Sequence, residues 1–197
     1  IRISIIFMFI AEAFDSIAVL PFANMSSDPE QEYFSDGISE EIINVLAQLP
    51  NLKVAGRASS FTFKGKNEDL RSIGEKLGVK TVLEGSVRSS GNRIRITAQL
   101  INVENGFHLW SEKYDREMKD IFEIQDEISL AIVEELKIKL FEKERVQLFK
   151  GKTQNLEAYN YYLKGRFYWN NSRTKEGIEE AIRNFKLSVE SDPEYAL

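Results

Sequence analysis

The sequence predicts an α+β domain, a mixed sheet with helices packed on it in the order β-α-β-α-β-β-β-α, followed by an all-α helical hairpin. Three observations carry this. Apolar residues recur at three- and four-residue spacing up to Pro50 and again up to Gly78, alternate in twos between Thr81 and Tyr114, and return to helical spacing from Ile121. At 197 residues, 43% hydrophobic and 29% charged, the chain has the balance of a protein that folds in water and room for two modules.

Ile3 to Ala13 is nearly continuous apolar sequence, about half of the ~20 residues a spanning helix needs. Residues 1–14 are therefore expected to be an apolar leader: either the outer end of a transmembrane helix, or an edge strand or scar. The chain lacks an initiator Met and is read as part of a longer one. Ser16 to Leu20, closed by Pro21, is the first core strand, and the polar stretch Asn24–Gln31 is a turn. From Ser35 or Asp36 an amphipathic helix carries Ile38, Ile42, Leu46 and Leu49 until Pro50 stops it. Leu52 to Ala55 is a second strand and 61–67 a loop, before a helix with Leu70, Ile73 and Leu77 on one face. Thr81–Arg88, Arg93–Val103 and Phe107–Tyr114 form a meander through the turn dipeptides Ser90-Gly91 and Asn105-Gly106. A long helix then carries Ile121, Ile124, Ile128, Ile132, Leu136 and Leu140 as one stripe. The predicted units are 15–140, a helical extension and linker over 141–154, and a second module over 155–197.

With no cysteine, thiol nucleophiles, thiolate metal sites and disulfides are excluded. A single histidine, His108, excludes paired-His zinc sites. The net charge of −5 gives no global attraction to polyphosphate, so nucleic acid is not an expected partner, and no cofactor or metal is expected. Gly151-Lys152-Thr153 fails as a P-loop because Val146 stands where a glycine is required, and Phe63-Lys64-Gly65-Lys66 fails likewise at Ser60. Asp36, Glu40 and Glu41 lie near the expected helix start, where capping accounts for carboxylates without catalysis.

Ser16-Ile17-Ala18-Val19-Leu20-Pro21-Phe22, Asn24-Met25-Ser26 and Tyr33-Phe34-Ser35-Asp36-Gly37-Ile38-Ser39-Glu40-Glu41 resemble the TolB-like amino-terminal domain of bacterial multidomain signalling proteins. Leu83-Glu84-Gly85-Ser86-Val87-Arg88, Arg93 to Leu100, His108 to Glu112 and Tyr114-Asp115-Arg116 continue the resemblance in order, over roughly Asp15 to Lys139. It implies a mixed sheet with helices and no catalytic residue. The second module resembles one tetratricopeptide repeat, with Gly165, Tyr168, Ala181, Phe185 and Pro193 at its signature points on helices 156–170 and 175–190. Leu163 stands one place early, and the stretch between Tyr168 and Ala181 is longer than that repeat's turn. Similar architectures follow a transmembrane helix in proteins that begin with a nucleotide cyclase or a CadC-like winged-helix regulator.

By that resemblance Tyr159, Tyr162, Arg166, Trp169 and Asn170 line a partner-binding groove, while Tyr161, Gly165, Tyr168, Ala181 and Phe185 pack the helices. The alternative is that Tyr162 and Trp169 bury against a further repeat or the preceding long helix. Arg88, Arg93 and Arg95 share one face of the first hairpin, with Arg88 expected opposite Arg93, and form either a solvated face or a contact for an anionic partner. His108 and Trp110 are expected to pair on one face of the third meander strand.

The expectation is a protein-interaction or sensory module of a bacterial signalling protein that binds a protein or peptide. It is not expected to be an enzyme, any catalysis belonging to an upstream domain. The expected placement is membrane-anchored and periplasmic, the alternative cytoplasmic, and a homo-oligomer is compatible with the sequence. The alternatives are a small-molecule receptor with its ligand between the sheet and residues 57–66, and a soluble scaffold.

Overall fold

A computed structural model describes residues 15–138 and 153–195. The expected leader, most of the linker and the end of the helical stripe at Leu140 lie outside the described residues. Six strands form one mixed sheet: β1 (Asp15–Val19), β2 (Ala23–Asn24), β3 (Leu52–Val54), β4 (Thr81–Ser90), β5 (Arg93–Asn102) and β6 (His108–Glu117). The order is β3-β1-β4-β5-β6, with β2 continuing the line of β1 alongside β4. β1 runs parallel to β3 and β4, and the β4-β5-β6 meander is antiparallel.

Helices α1 (Glu32–Leu46), α2 (Arg57–Phe61), α3 (Leu70–Leu77) and α4 (Ile121–Glu135) belong to the same unit, and α5 (Leu156–Asn171) with α6 (Lys175–Ser191) forms an antiparallel hairpin. The two faces of the sheet follow from the period of two. Ile17, Val19, Leu83, Ile96 and Leu100 join α1, α4 and α5 in one large apolar core. Ala18, Leu20 and Val82 face the other way and meet Ile73 of α3 in a smaller one. The bulk of the apolar burial therefore lies on the face where α5 also docks, and this positions the hairpin.

Several local readings are corrected. α1 begins at Glu32, a turn earlier than Ser35 or Asp36, so Asp36 and Glu40 are helix-interior residues rather than caps. The short helix α2 and the strand β2 arise where only loops were expected, since segments so short carry no period. Gly91, at φ +56°, and Asn92 form the two-residue loop of the first hairpin, so Arg88 pairs with Arg95 and not with Arg93. A register shift between Leu100 and Ile101 sets Trp110 opposite Leu100 and His108 opposite Ile101. The extra residue, Leu109, sends His108 and Trp110 to opposite faces and breaks their expected pairing.

The hairpin is stapled by polar groups. Asn155 caps α5 by accepting from the backbone N–H of Glu157 and Ala158, and Thr174 caps α6 by accepting from Gly177. Ser188 Oγ donates to the Ala158 carbonyl at 2.8 Å, and the Asn155 amide donates to the Ser191 carbonyl at 2.8 Å.

Candidate functional site

The functional geometry concentrates where α5 crosses α1. Gly37 sits at the crossing, where an added Cβ would stand 2.6 Å from the end of the Leu163 side chain, so any larger residue would force Leu163 to move. To either side of this contact, α1 carries Asp36 and Glu40, 2% and 4% exposed. Four residues apart, they share a helix face. Lys64 Nζ donates to both Asp36 oxygens at 2.6 Å and pairs with Glu32 at 2.8 Å. Glu40 receives Arg57 Nε and, at 3.3 Å, Asn170 Nδ2 on one oxygen, and Arg166 Nη2 at 2.7 Å on the other. One buried carboxylate thus ties the α2 segment, α1 and the hairpin together.

Burial pushes the Asp36 carboxyl above the ordinary aspartate value, and Lys64 opposes that push. Burial works against the Arg166 guanidinium, yet the neighbouring Tyr162 and Glu40 hold its pKa above the usual arginine value. Each buried charge has a hydrogen-bonded partner of opposite sign, the condition for keeping it charged inside a protein.

Beside this cluster opens a cleft of about 470 Å³. α5 contributes Tyr161, Lys164, Phe167 and Tyr168, α6 contributes Glu180, Arg183, Asn184 and Leu187, the approach to α1 contributes Asp28 and Pro29, and the first turn of α1 contributes Tyr33. Lys164 Nζ lies 5.1 Å from the centroid of the Tyr33 ring, which holds its charge at the cleft wall. Aromatic bodies beside fixed charges of both signs suit the mixed side chains of a polypeptide.

The five residues expected to line a groove do not form an open one. Tyr159 is buried against Phe122, ring centroids 5.0 Å apart, and its hydroxyl accepts from Gln125 Nε2 at 2.6 Å. Tyr162 is buried against Tyr195 at 5.5 Å, and its hydroxyl accepts from Arg166 Nη1 at 2.9 Å. Arg166 and Asn170 are taken up by Glu40, and Trp169 alone remains open, at 54% exposure. The physical reason is that α5 lays this face on α1 and α4, so the first domain occupies what a groove would offer. Tyr161 and Tyr168, expected as packing residues, line the cleft instead. Lys164, Tyr33 and Glu40 were not anticipated. Lys164 follows Tyr161 by three and precedes Tyr168 by four, a helical stripe that the sequence did display.

Arg88, Arg93 and Arg95 do share a face at the far end of the sheet. Arg93 and Arg95 both donate to Asp115 on β6, and Arg88 Nε donates to the Met25 carbonyl at 3.2 Å. Their charge is thereby partly spent within the molecule. Among the described residues no group of three or more His, Asp or Glu side chains could hold a metal ion.

Comparison with known proteins adds three findings. A protein of Rhizobium meliloti (strain 1021) named "Putative adenylate cyclase 3" is 52% identical over 153 residues, covering 77% of this chain and 26% of that protein. The chain thus spans about a quarter of the relative's length. The expectation that the protein is not an enzyme is overturned by that relative, which is named for a catalytic activity. Among solved structures, TolB from Acinetobacter baumannii matches at TM-score 0.45 and 18% identity, over 62% of this chain and 28% of that one. The LpoB C-terminal domain from Salmonella enterica matches at 0.44 and 16%, over 53% and 84%. Lipoprotein GNA1162 from Neisseria meningitidis matches at 0.45 and 19%, over 64% and 99%. Likenesses at this level have no bearing on function. The family model described as the HilA/YgeH-like transcriptional regulator second domain matches residues 12–131. That span holds the whole sheet and α1 to α3 with most of α4, and the chain belongs to this family of regulator domains.

Proposed function

We propose that the chain is the regulatory, partner-binding module of an adenylate-cyclase-type bacterial signalling protein, and that its helical hairpin is a tetratricopeptide repeat. The partner is a protein or peptide segment that enters the cleft between α5, α6 and the approach to α1. One observation carries this reading: Tyr161, Lys164 and Tyr168 stand along one stripe of α5 beside a cleft of about 470 Å³. The neighbouring face of the same helix is committed to the first domain, and the cleft lies on a part of α5 outside that contact.

Membership in a cyclase rests on the 52% identity to the Rhizobium relative. Membrane anchoring rests on the apolar run Ile3–Ala13, and the periplasmic placement on the resemblance to signalling proteins in which such a module follows a transmembrane helix. Among the described residues no helix is long and apolar enough to cross a membrane.

The test is a random-peptide display selection on the intact chain, repeated with Tyr161→Ala, Tyr168→Ala. Peptides selected by the parent should lose at least about tenfold in affinity for the variant, as truncation of aromatic anchors does. Trp169→Ala, outside the cleft lining, should leave them unaffected. Equal binding by parent and double variant would remove the cleft from the proposal. Conversion of ATP to cyclic AMP by the full-length protein tests the cyclase part.

A further inference from the structure

Phe107 is the most exposed large apolar side chain among the described residues, at 72%, and Leu109, two residues on, is 37% exposed. Neither belongs to the cleft or to the ion cluster. Both sit where the β5–β6 turn meets β6, and the sheet register fixes which end of the molecule that is. Ile17 lies opposite Thr81, and Thr81 lies opposite Asn102, from which the turn departs. The Asn102 N–H donates to the Phe107 carbonyl at 2.9 Å, closing the turn at that level. Asp15, where the chain enters β1, is two residues before Ile17, roughly 7 Å further in the direction of the turn. The run Ile3–Ala13 therefore joins the domain at the same end of the sheet as Phe107 and Leu109. The Arg88–Arg95 end lies most of a ten-residue strand away, a strand roughly 33 Å long.

We infer that this end of the sheet faces a lipid bilayer, and that Phe107 and Leu109 seat in its interfacial region while the turn stays at headgroup level. The inference rests on the membrane anchoring proposed above and adds the surface that touches the lipid. The neighbouring groups fit that depth. Asn105 and Glu104 at the tip are polar, so the turn does not pass below the headgroups. Arg71 runs its alkyl stem along Gly106, where an added Cβ would meet Arg71 Cδ at 3.2 Å, and its guanidinium pairs with Asp69 at 3.0 Å. An aromatic side chain with a long basic side chain beside it is the composition of an interfacial anchor. Fixing one end of a rigid sheet at the bilayer leaves the cleft, with its wall at Asp28–Tyr33 near the start of α1, turned toward the opposite end.

The experiment uses the full chain with Phe107→Trp as a fluorescent probe, in a background where Trp110→Phe and Trp169→Phe remove the native tryptophans. The membranes are phosphatidylcholine vesicles with a minority of phosphatidylglycerol, with and without bromines on the acyl chains near the headgroup. The expected result is co-flotation with vesicles, a blue shift in the probe's emission and its quenching by the brominated lipid. Separately, Phe107→Ser, Leu109→Ser should weaken vesicle partitioning by about tenfold or more, as loss of two buried apolar side chains predicts, with an unchanged melting transition. Co-flotation with an unshifted, unquenched probe would overturn the inference and leave the anchoring reading intact. No flotation at all would overturn both.

Discussion

The interface between the sheet and its helices and the interface between α1 and α5 differ in what holds them. The first is built from Ile17, Val19, Leu83, Ile96, Leu100 and the stripe of α4, and the ion pair that crosses it, Arg116 on β6 with Glu127 on α4, lies at its exposed rim. The second adds to its apolar contacts two buried carboxylates, Asp36 and Glu40, and the cations and amide from three segments that satisfy them. Apolar burial is non-directional and supplies stability, whereas a desolvated ion cluster contributes little net stability and strongly disfavours every arrangement in which its partners separate. The difference assigns energy to the sheet core and geometry to the junction.

Leu100→Ala should have the largest effect. Leu100 is fully buried in the shared core, and its truncation is expected to cost about 3–4 kcal/mol by transfer and cavity terms. Denaturant titration should show one transition moved as a whole, with the hairpin signal following the sheet signal. Glu40→Ala should cost about 3 kcal/mol, because it strands the guanidinium groups of Arg57 and Arg166 that now meet on its oxygens. Here hydrogen exchange should rise in α5 and around Arg57 while β5 keeps its protection. Uniform exchange in both variants would mean that core and junction form one cooperative unit, and the comparison would fail.

The same contrast explains what the sequence made legible. The apolar residues of β1, β4, β5 and α4 announce their elements because burial on one face imposes a period of two or 3.6, and no distant residue is needed to read it. Glu40 carried no such signal. Its partners are 17, 126 and 130 residues away, and a helix start placed at Ser35 or Asp36 makes its carboxylate look like a capping group. The register at His108 was illegible for a related reason, since a one-residue bulge leaves the alternating pattern intact on either side and changes only its phase. On α5 the repeat resemblance grouped Tyr159, Tyr162 and Arg166 on one face. What it could not tell was whether that face meets solvent, a further repeat or the chain's own first domain. The open stripe of Tyr161, Lys164 and Tyr168 is equally visible in the sequence, but the repeat pattern assigns its tyrosines to packing.

The smallest expected effects come from comparing a buried carboxylate with an exposed one, and they have opposite signs. Asp36 has its pKa raised by burial against the pull of Lys64. The folded state then binds its proton more tightly than the unfolded state, so its contribution favours folding at low pH. That contribution is lost as pH rises from the ordinary aspartate value through the raised one. Asp115 is held down at about 2 by hydrogen bonds from Arg95 and Arg93 on the open face of the sheet. Its contribution is present above the ordinary value near 3.8 and disappears as pH falls toward about 2, and added salt should shrink it because the group is exposed. Carboxyl-carbon NMR titration of the two aspartates checks both directions at once: Asp36 should titrate above 3.8 and Asp115 near about 2, with only the Asp115 midpoint moving upward in high salt. An Asp36 midpoint below the ordinary value would mean that Lys64 outweighs burial at the junction. The Asp36–Lys64 pair would then stabilise the docking of the segment after α2 on α1 directly instead of specifying it at a cost.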